Sequence, residues 1–284
     1  MLELRELGTW RAFAEATRAN ARTVGLVPTM GALHAGHLSL IGAAKDRGDV
    51  VVATIFVNPR QFNDPGDLAR YPRSLDSDRV SAAAAGVDAL VVPSLEEMWP
   101  AYPHDTLTSV NVAGLGDVLE GASRPGHFAG VASVVAKLFN VTGPCRAYFG
   151  QKDFQQVAVV RQMVRDLAMP VELVDCPIVR DPDGLALSSR NVRLGQRARE
   201  QALALSRAIG EVASAPASAS THRATLRGIL EGAGLEVAYA DVVDPVTLAP
   251  LGDADRGEGR ALVAATVEGV RLIDNGPVEL SAGE

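Results

Sequence analysis

Apolar positions along the first two-thirds of the chain follow two alternating rhythms. Residues 4–20 carry Leu4, Leu7, Trp10, Phe13 and Ala14 at helical spacing, and residues 37–47, 74–85, 128–141 and 153–167 repeat that period. Between them lie short continuous apolar runs at 23–27, 49–57, 87–92, 147–149 and 171–178. The run DVVVATIFV (49–57) is dominated by β-branched residues and predicts a strand covered on both faces. Strands alternating with helices predict a parallel, doubly wound α/β sheet. Residues 93–127, rich in Pro and Gly, predict irregular or short elements. The character changes after about residue 180. Helical patterns at 196–213 and 221–233, joined by the loose stretch APASAS, precede strands at 235–243, 260–267 and 270–273. The expected division is a first domain over 1–184 and a smaller α+β domain over 185–284. The C-terminal part is expected to hold no dense polar cluster, which places the chemistry in the first domain.

Composition narrows the class. The chain has 284 residues, 47% of them apolar, which is enough for a substantial core. The net charge of −7, with no long basic run, argues against double-stranded nucleic acid as a partner. Cys145 and Cys176 stand far apart with no CxxC, so neither a disulfide framework nor a structural zinc site is expected. No segment reads as an export signal or a membrane span, and the expected setting is the cytoplasm. Of the 27 basic residues only Lys45, Lys137 and Lys152 are lysines. A lysine retained in so Arg-rich a chain points to its own geometry and marks Lys152.

Candidate chemistry gathers where predicted strands end. LVPTMGALHAGHLSL (26–40) hands an apolar run over to a helix and places His34 and His37, two of the five histidines, in one turn. Open α/β sheets bind ligands beyond the carboxyl ends of their strands. A helix start there offers N–H groups and a partial positive charge suited to phosphate. Two imidazoles can add donors; a metal pair or two solvated histidines are the alternatives. FVNPRQF (56–62) follows the strongest strand and offers Asn58 and Gln61, multidentate amides for a small polar acid, or simple turn chemistry. FGQKDFQQ (149–156) places Lys152 at the same sheet edge, with Gln156 one helical turn on and Asp153 as a helix cap. LSSRN (187–191) reads as a mobile donor loop that closes over triphosphate, or as a polar linker. GASRPGHF (121–128) adds Arg124 and His127. The absence of GxGxxG, GxxxxGK[ST] and HExxH removes support for a dinucleotide oxidoreductase, a P-loop enzyme and that class of zinc protease.

Five motifs in one order, PTMGALHAGH, IFVNPRQF, RPGHFAGV, FGQKDFQQ and LSSRN, together resemble the pantoate–β-alanine ligase family, as does the tail AATVEGVRLIDNGPVEL. HAGH resembles the H-x-G-H signature of nucleotidylyltransferases, and LSSRN resembles their mobile loop. The resemblance implies a Rossmann-like domain with a smaller C-terminal lid, a homodimer, and the substrates ATP, pantoate and β-alanine. It also implies Mg²⁺ with ATP and a pantoyl adenylate intermediate; no residue is marked as a metal ligand. By position it assigns the ATP site to Met30, Gly31, Ala32, Leu33, His34, Ala35, Gly36 and His37. Gly150, Gln151, Lys152, Asp153, Val179, Leu187, Ser188, Ser189 and Arg190 complete that site. Gln61 would bind pantoate and β-alanine, Gln156 would bind pantoate, and Asn58 and Arg124 would assist. The family treats His34 as a proton donor. Charge stabilisation by His34, His37, Lys152 and Arg190 is the larger expected share, because pyrophosphate leaves without needing a proton. Leu187 stands where the family often has Met, and Gln151 where it often has Glu. Rival readings are adenylyl transfer to a phosphorylated acceptor, which would want more basic residues, and a nucleotide-binding module without turnover.

Overall fold

The computed structural model describes residues 1–281. In chain order the first part contains β1 (Leu2–Leu4), α1 (Leu7–Ala19), β2 (Val24–Thr29), α2 (Ala35–Asp46), β3 (Val50–Ile55), α3 (Pro65–Arg70), α4 (Leu75–Ala84) and β4 (Ala89–Val91). It continues with α5 (Leu95–Met98), α6 (Glu120–Ser123), α7 (His127–Thr142), β5 (Cys145–Gly150), α8 (Phe154–Asp166) and β6 (Val171–Cys176). The second part comprises α9 (Gln196–Ala213), α10 (Ala219–Gly232), β7 (Glu236–Val243), β8 (Gly257–Val267) and β9 (Val270–Leu280).

The first six strands form one sheet in the order β1-β4-β3-β2-β5-β6, with every pair parallel. β3 is buried along its whole length, as its β-branched run requires. One face packs against α1, α7 and α8 through Trp10, Phe139 and Met163. The other packs against α2 and α4 through Ile41 and Ala82. This is the doubly wound α/β architecture that the alternating pattern predicts. The chain runs outwards from β2 to β3 and β4, then returns to β5 on the other side of β2. That reversal opens a crevice between β2 and β5, the switch point at which such sheets bind ligands.

β7, β8 and β9 form a separate antiparallel sheet, and α9 and α10 pack against it around Leu205, Leu226 and Val263. Two expectations are corrected here. The helix expected from residue 4 begins at Leu7, and Leu4 belongs instead to β1, which pairs with β4 at the sheet edge. β9 does not stop at 273; it runs to Leu280 through Asp274, Asn275, Gly276 and Pro277. A proline is tolerated there because β9 lies at the edge of its sheet, where a missing N–H need not break a ladder on two sides. No helix among the described residues is long and apolar enough to cross a membrane.

Candidate active site

Three turns that follow adjacent central strands meet over the crevice. The turn after β2 brings His34 and His37, the turn after β3 brings Asn58 and Gln61, and the turn after β5 brings Lys152 and Asp153. They line a cavity of about 230 Å³, closed on the far side by Val179 and Leu187 to Arg190. The Leu187 N–H donates to the Val179 carbonyl at 3.0 Å, so a tight hairpin sets these two apolar side chains together. Met30, Gly36, Gly150, Arg124 and Gln156 also line the cavity. Gly31, Ala32, Leu33, Ala35 and Gln151 do not.

Gly31, Ala32 and Leu33 are held by protein partners instead. Asp78, buried on α4, accepts the N–H groups of Ala32 at 3.0 Å and Leu33 at 2.7 Å, and the Gly31 N–H is taken by the Thr29 hydroxyl. The donors of this turn are therefore spent on building it. Gly31 has φ +83°, and a Cβ there would lie 3.0 Å from the Asp78 carboxylate.

The helix start is likewise not a row of free N–H groups. His34 Nδ1 accepts the Gly36 N–H at 3.2 Å, and His37 Nδ1 accepts the His34 N–H at 3.3 Å, forming a reciprocal cap. An Nδ1 that accepts an N–H carries no proton, so in both neutral rings the proton sits on Nε2. The rings lie 4.1 Å apart. Burial, and then the neighbouring Lys152, depress the His34 pKa. Burial, followed by His34, pushes His37 down to about 3. Both imidazoles are thus neutral Nε2–H donors at neutral pH.

Lys152 is held from the second sheet. Asn275 of β9 donates to the Gln151 carbonyl at 3.0 Å and to the Lys152 carbonyl at 2.9 Å, and Arg260 donates to the Asn275 Oδ1. The expectation that the C-terminal part holds no dense polar cluster is therefore corrected. Asp274 and Asn275 are each 2% exposed, and Arg180 binds Asp274 through both of its carboxylate oxygens. An Asp-Asn pair inside an apolar strand pattern was the available sequence signal. For Asp153, burial raises the carboxyl pKa, but Lys152, Arg190 and His127 outweigh it and leave it below the ordinary value.

Arg190 does not point freely into the cavity. Asp67 of α3 accepts from Arg190 at 2.8 Å and from Arg193 at 3.0 Å, while Ser189 donates to the Tyr71 hydroxyl at 3.3 Å. Burial opposes the Arg190 charge, but the bond to Asp67 raises its pKa further. Two residues 123 positions apart in sequence are thereby tied across the cavity mouth. Asn58 borders the cavity but bonds to protein. It is 1% exposed, and its amide is committed to Trp99, Gly130, Arg60 and Gln61. It holds Gln61 and has no spare group for a ligand. This turn can lie against α7 only because residue 130 is Gly; a Cβ there would fall 2.2 Å from the Arg60 carbonyl oxygen.

His127 contributes to acid sensitivity. Its Nδ1 faces the Gln61 carbonyl at 2.8 Å, and its Nε2 faces Arg124 at 3.3 Å. Burial, and then Arg124, push its pKa down to about 4. Between that value and the ordinary 6.5, the unfolded chain binds a proton that the folded protein refuses. Stability is complete above about pH 6.5 and falls as pH drops through that window, with His37 acting in the same sense. The unfolding free energy from urea titrations should decline from pH 7 to pH 5 by on the order of 1–2 kcal/mol per pH unit, and His127→Asn should flatten the slope.

A crevice at the switch point, with neutral imidazole donors, an ammonium and apolar walls on one side and amides on the other, belongs to an enzyme that activates a small acid with a nucleotide: an ATP-dependent ligase. The chain belongs to the pantoate–β-alanine ligase family, whose model matches residues 3–277. The pantothenate synthetase of Anaeromyxobacter dehalogenans is 51% identical over 277 residues, covering 94% of this chain and 95% of that protein. The crystal structure of the Thermus thermophilus pantothenate synthetase superposes with a TM-score of 0.88 at 45% identity, covering 97% and 99% of the two chains. The Francisella tularensis pantoate-beta-alanine ligase, crystallised with beta-gamma ATP and beta-alanine, gives 0.79 at 34% identity, with 97% of each chain covered.

Proposed function

We propose how this cavity carries out its family's reaction. The chain condenses pantoate with β-alanine to pantothenate through pantoyl adenylate, using ATP and releasing pyrophosphate and AMP. In the first step a pantoate carboxylate oxygen attacks the α-phosphorus in line, and the bond to pyrophosphate breaks. The Nε2–H groups of His34 and His37, with the Lys152 ammonium and the Arg190 N–H groups not bound to Asp67, meet the charge that grows on the phosphates. Val179 and Leu187 offer an apolar surface to adenine, and Gln61 and Gln156 hold pantoate. In the second step the β-alanine amine attacks the acyl carbon, the amine loses a proton, and AMP leaves. The observation that carries this reading is the convergence of His34, His37, Lys152, Gln61 and Gln156 on one cavity.

Mg²⁺ fits as a companion of the triphosphate. Among the described residues no group of three or more His, Cys, Asp or Glu could cage a metal. The ionised Asp153 is a single carboxylate at the cavity, which suits a cation held mostly by phosphate oxygens and water. Asp153 would hold it, and the ion would neutralise phosphate charge. The resemblance further supports a homodimer in the cytoplasm, and the fully exposed Leu107 is an apolar group that a second copy would cover.

The unit from 185 onward acts as a lid in this proposal. The Asp67 pairs with Arg190 and Arg193 keep the mouth shut while the water-sensitive adenylate waits for the amine. Wild-type protein should release one AMP per pantothenate made. Asp67→Asn should raise that ratio to about two or more, through hydrolysis of the adenylate. Paired AMP and pantothenate assays read this directly. A ratio unchanged in the variant would remove the latch, and AMP release independent of pantoate would remove the whole reading.

A further inference from the structure

We propose that Trp99 is a positioning residue for pantoate recognition: its indole N–H, together with the Arg60 N–H and the Gly130 carbonyl, holds Asn58 so that one end of the Gln61 amide faces the cavity. The inference rests on the reading that Gln61 touches pantoate.

Three groups around the Asn58 amide have a fixed hydrogen-bonding sense. An indole N–H and a backbone N–H only donate, and a backbone carbonyl only accepts. Trp99 Nε1 lies 3.0 Å and the Arg60 backbone N 3.3 Å from one end of the Asn58 amide, so that end is the oxygen. The Gly130 carbonyl lies 3.1 Å from the other end, so that end is the NH₂. The same NH₂ lies 3.0 Å from the Gln61 side chain, which must therefore offer its oxygen. What remains towards the cavity is the Gln61 NH₂, which can only donate. Gln156 makes no side-chain hydrogen bond to protein among the described residues, so its amide turns to suit whatever it meets. The site thus pairs one amide of fixed polarity with one adaptable amide.

A donor with no acceptor beside it suits the lone pairs of a hydroxy acid, on its carboxylate or its hydroxyl oxygens. The same donor facing an ammonium or an amide N–H would be mismatched, and an unmatched polar group in a cavity is costly. The Trp99 ring is itself held in place. It is 5% exposed, with the Arg60 guanidinium 5.1 Å and the Lys137 ammonium 5.3 Å from its centre. Lys137 also donates to the Glu97 carbonyl at 3.3 Å and to the Met98 carbonyl, which closes the end of α5 just before the ring.

Trp99→Phe keeps an aromatic ring and removes the N–H. Loss of one hydrogen bond of about 1 kcal/mol should raise the KM for pantoate about fivefold, with the KM for ATP and kcat within about twofold. A general loosening of the fold would move both KM values together. In a Gln61→Ala background, where no amide is left to orient, Trp99→Phe should add nothing. Equal shifts in both KM values, or full additivity with Gln61→Ala, would overturn the relay. If Gln61→Ala alone leaves the KM for pantoate unchanged, the contact between Gln61 and pantoate fails, and the inference fails with it. A readout on unmutated protein guards against a variant that does not fold. The chain has two tryptophans, and the Trp10 Nε1–H is buried without a partner among the described residues. In a ¹⁵N spectrum, pantoate should move the Trp99 indole signal and leave that of Trp10 in place. Two indole signals unmoved at saturating pantoate would also overturn the proposal.

Discussion

Replacing Lys152 by Ala should lower turnover by about 100-fold or more while leaving the fold intact, the scale seen when one charge-stabilising donor is removed from a preorganised site. In-line transfer at phosphorus asks little covalent help of a protein, so neutralisation of the departing pyrophosphate carries much of the rate. The ammonium lies near enough to the two neutral imidazoles to help depress the His34 pKa. The loop itself should survive the change, because Asn275 grips the backbone carbonyls of residues 151 and 152 and not the side chain. Thermal melting should therefore stay close to that of the parent protein. Lys152→Arg should recover little, since a planar fork replaces a compact point charge. A loss below about threefold would be too small for such a donor and would take Lys152 out of the chemistry.

The second large effect concerns His34. Changing it to Asn keeps a side-chain oxygen able to cap the Gly36 N–H and removes the Nε2–H. Adenylation, followed as pyrophosphate released from ATP and pantoate, should slow by roughly 100-fold or more. The pH profile separates the two roles open to this residue. Its pKa is depressed by burial and Lys152, and His37 sits at about 3, so both are uncharged from about pH 7 upward. Donors of that kind predict a wild-type adenylation rate with no histidine step between about pH 7 and 9. An imidazolium acting as proton donor predicts a rate that climbs as pH falls towards about 6, and a climb lost in His34→Asn would decide for it.

Much of this arrangement could be read along the chain, and the part that could not has a common cause. The central strands and the helices that cover them carry strong local periodicity, and residues 196–213 form a helix over that same span. The H-x-G-H turn, the amides after β3 and the Lys152 turn each occupy a strand end, so their placement follows from the alternation itself. β1 is not legible because three residues are too few to show a period, and it exists only through its pairing with β4. The far half of β9 is hidden because Asn275, Gly276 and Pro277 break an apolar pattern, although β8 pairs with all three. Asp78, Asp67, Trp99 and Asn275 escape a reading of the sequence for one reason: each acts on a partner brought near only by the fold. Asp78 caps a turn 45 residues upstream, and Asn275 grips a loop 123 residues upstream. Asn58 shows the converse case. Its position invites a ligand-binding role, but the structure surrounds it with protein partners.

The grip of Asn275 on the Lys152 loop has a bearing on synthesis in the cell. Domains emerge from the ribosome N-terminal part first. The large sheet could form while β9 is still being translated, yet the loop that carries the ammonium would lack its clasp. A chain lacking Asn275 would then be a collapsed but idle protein, and ligation would begin only once that residue had been made and had docked.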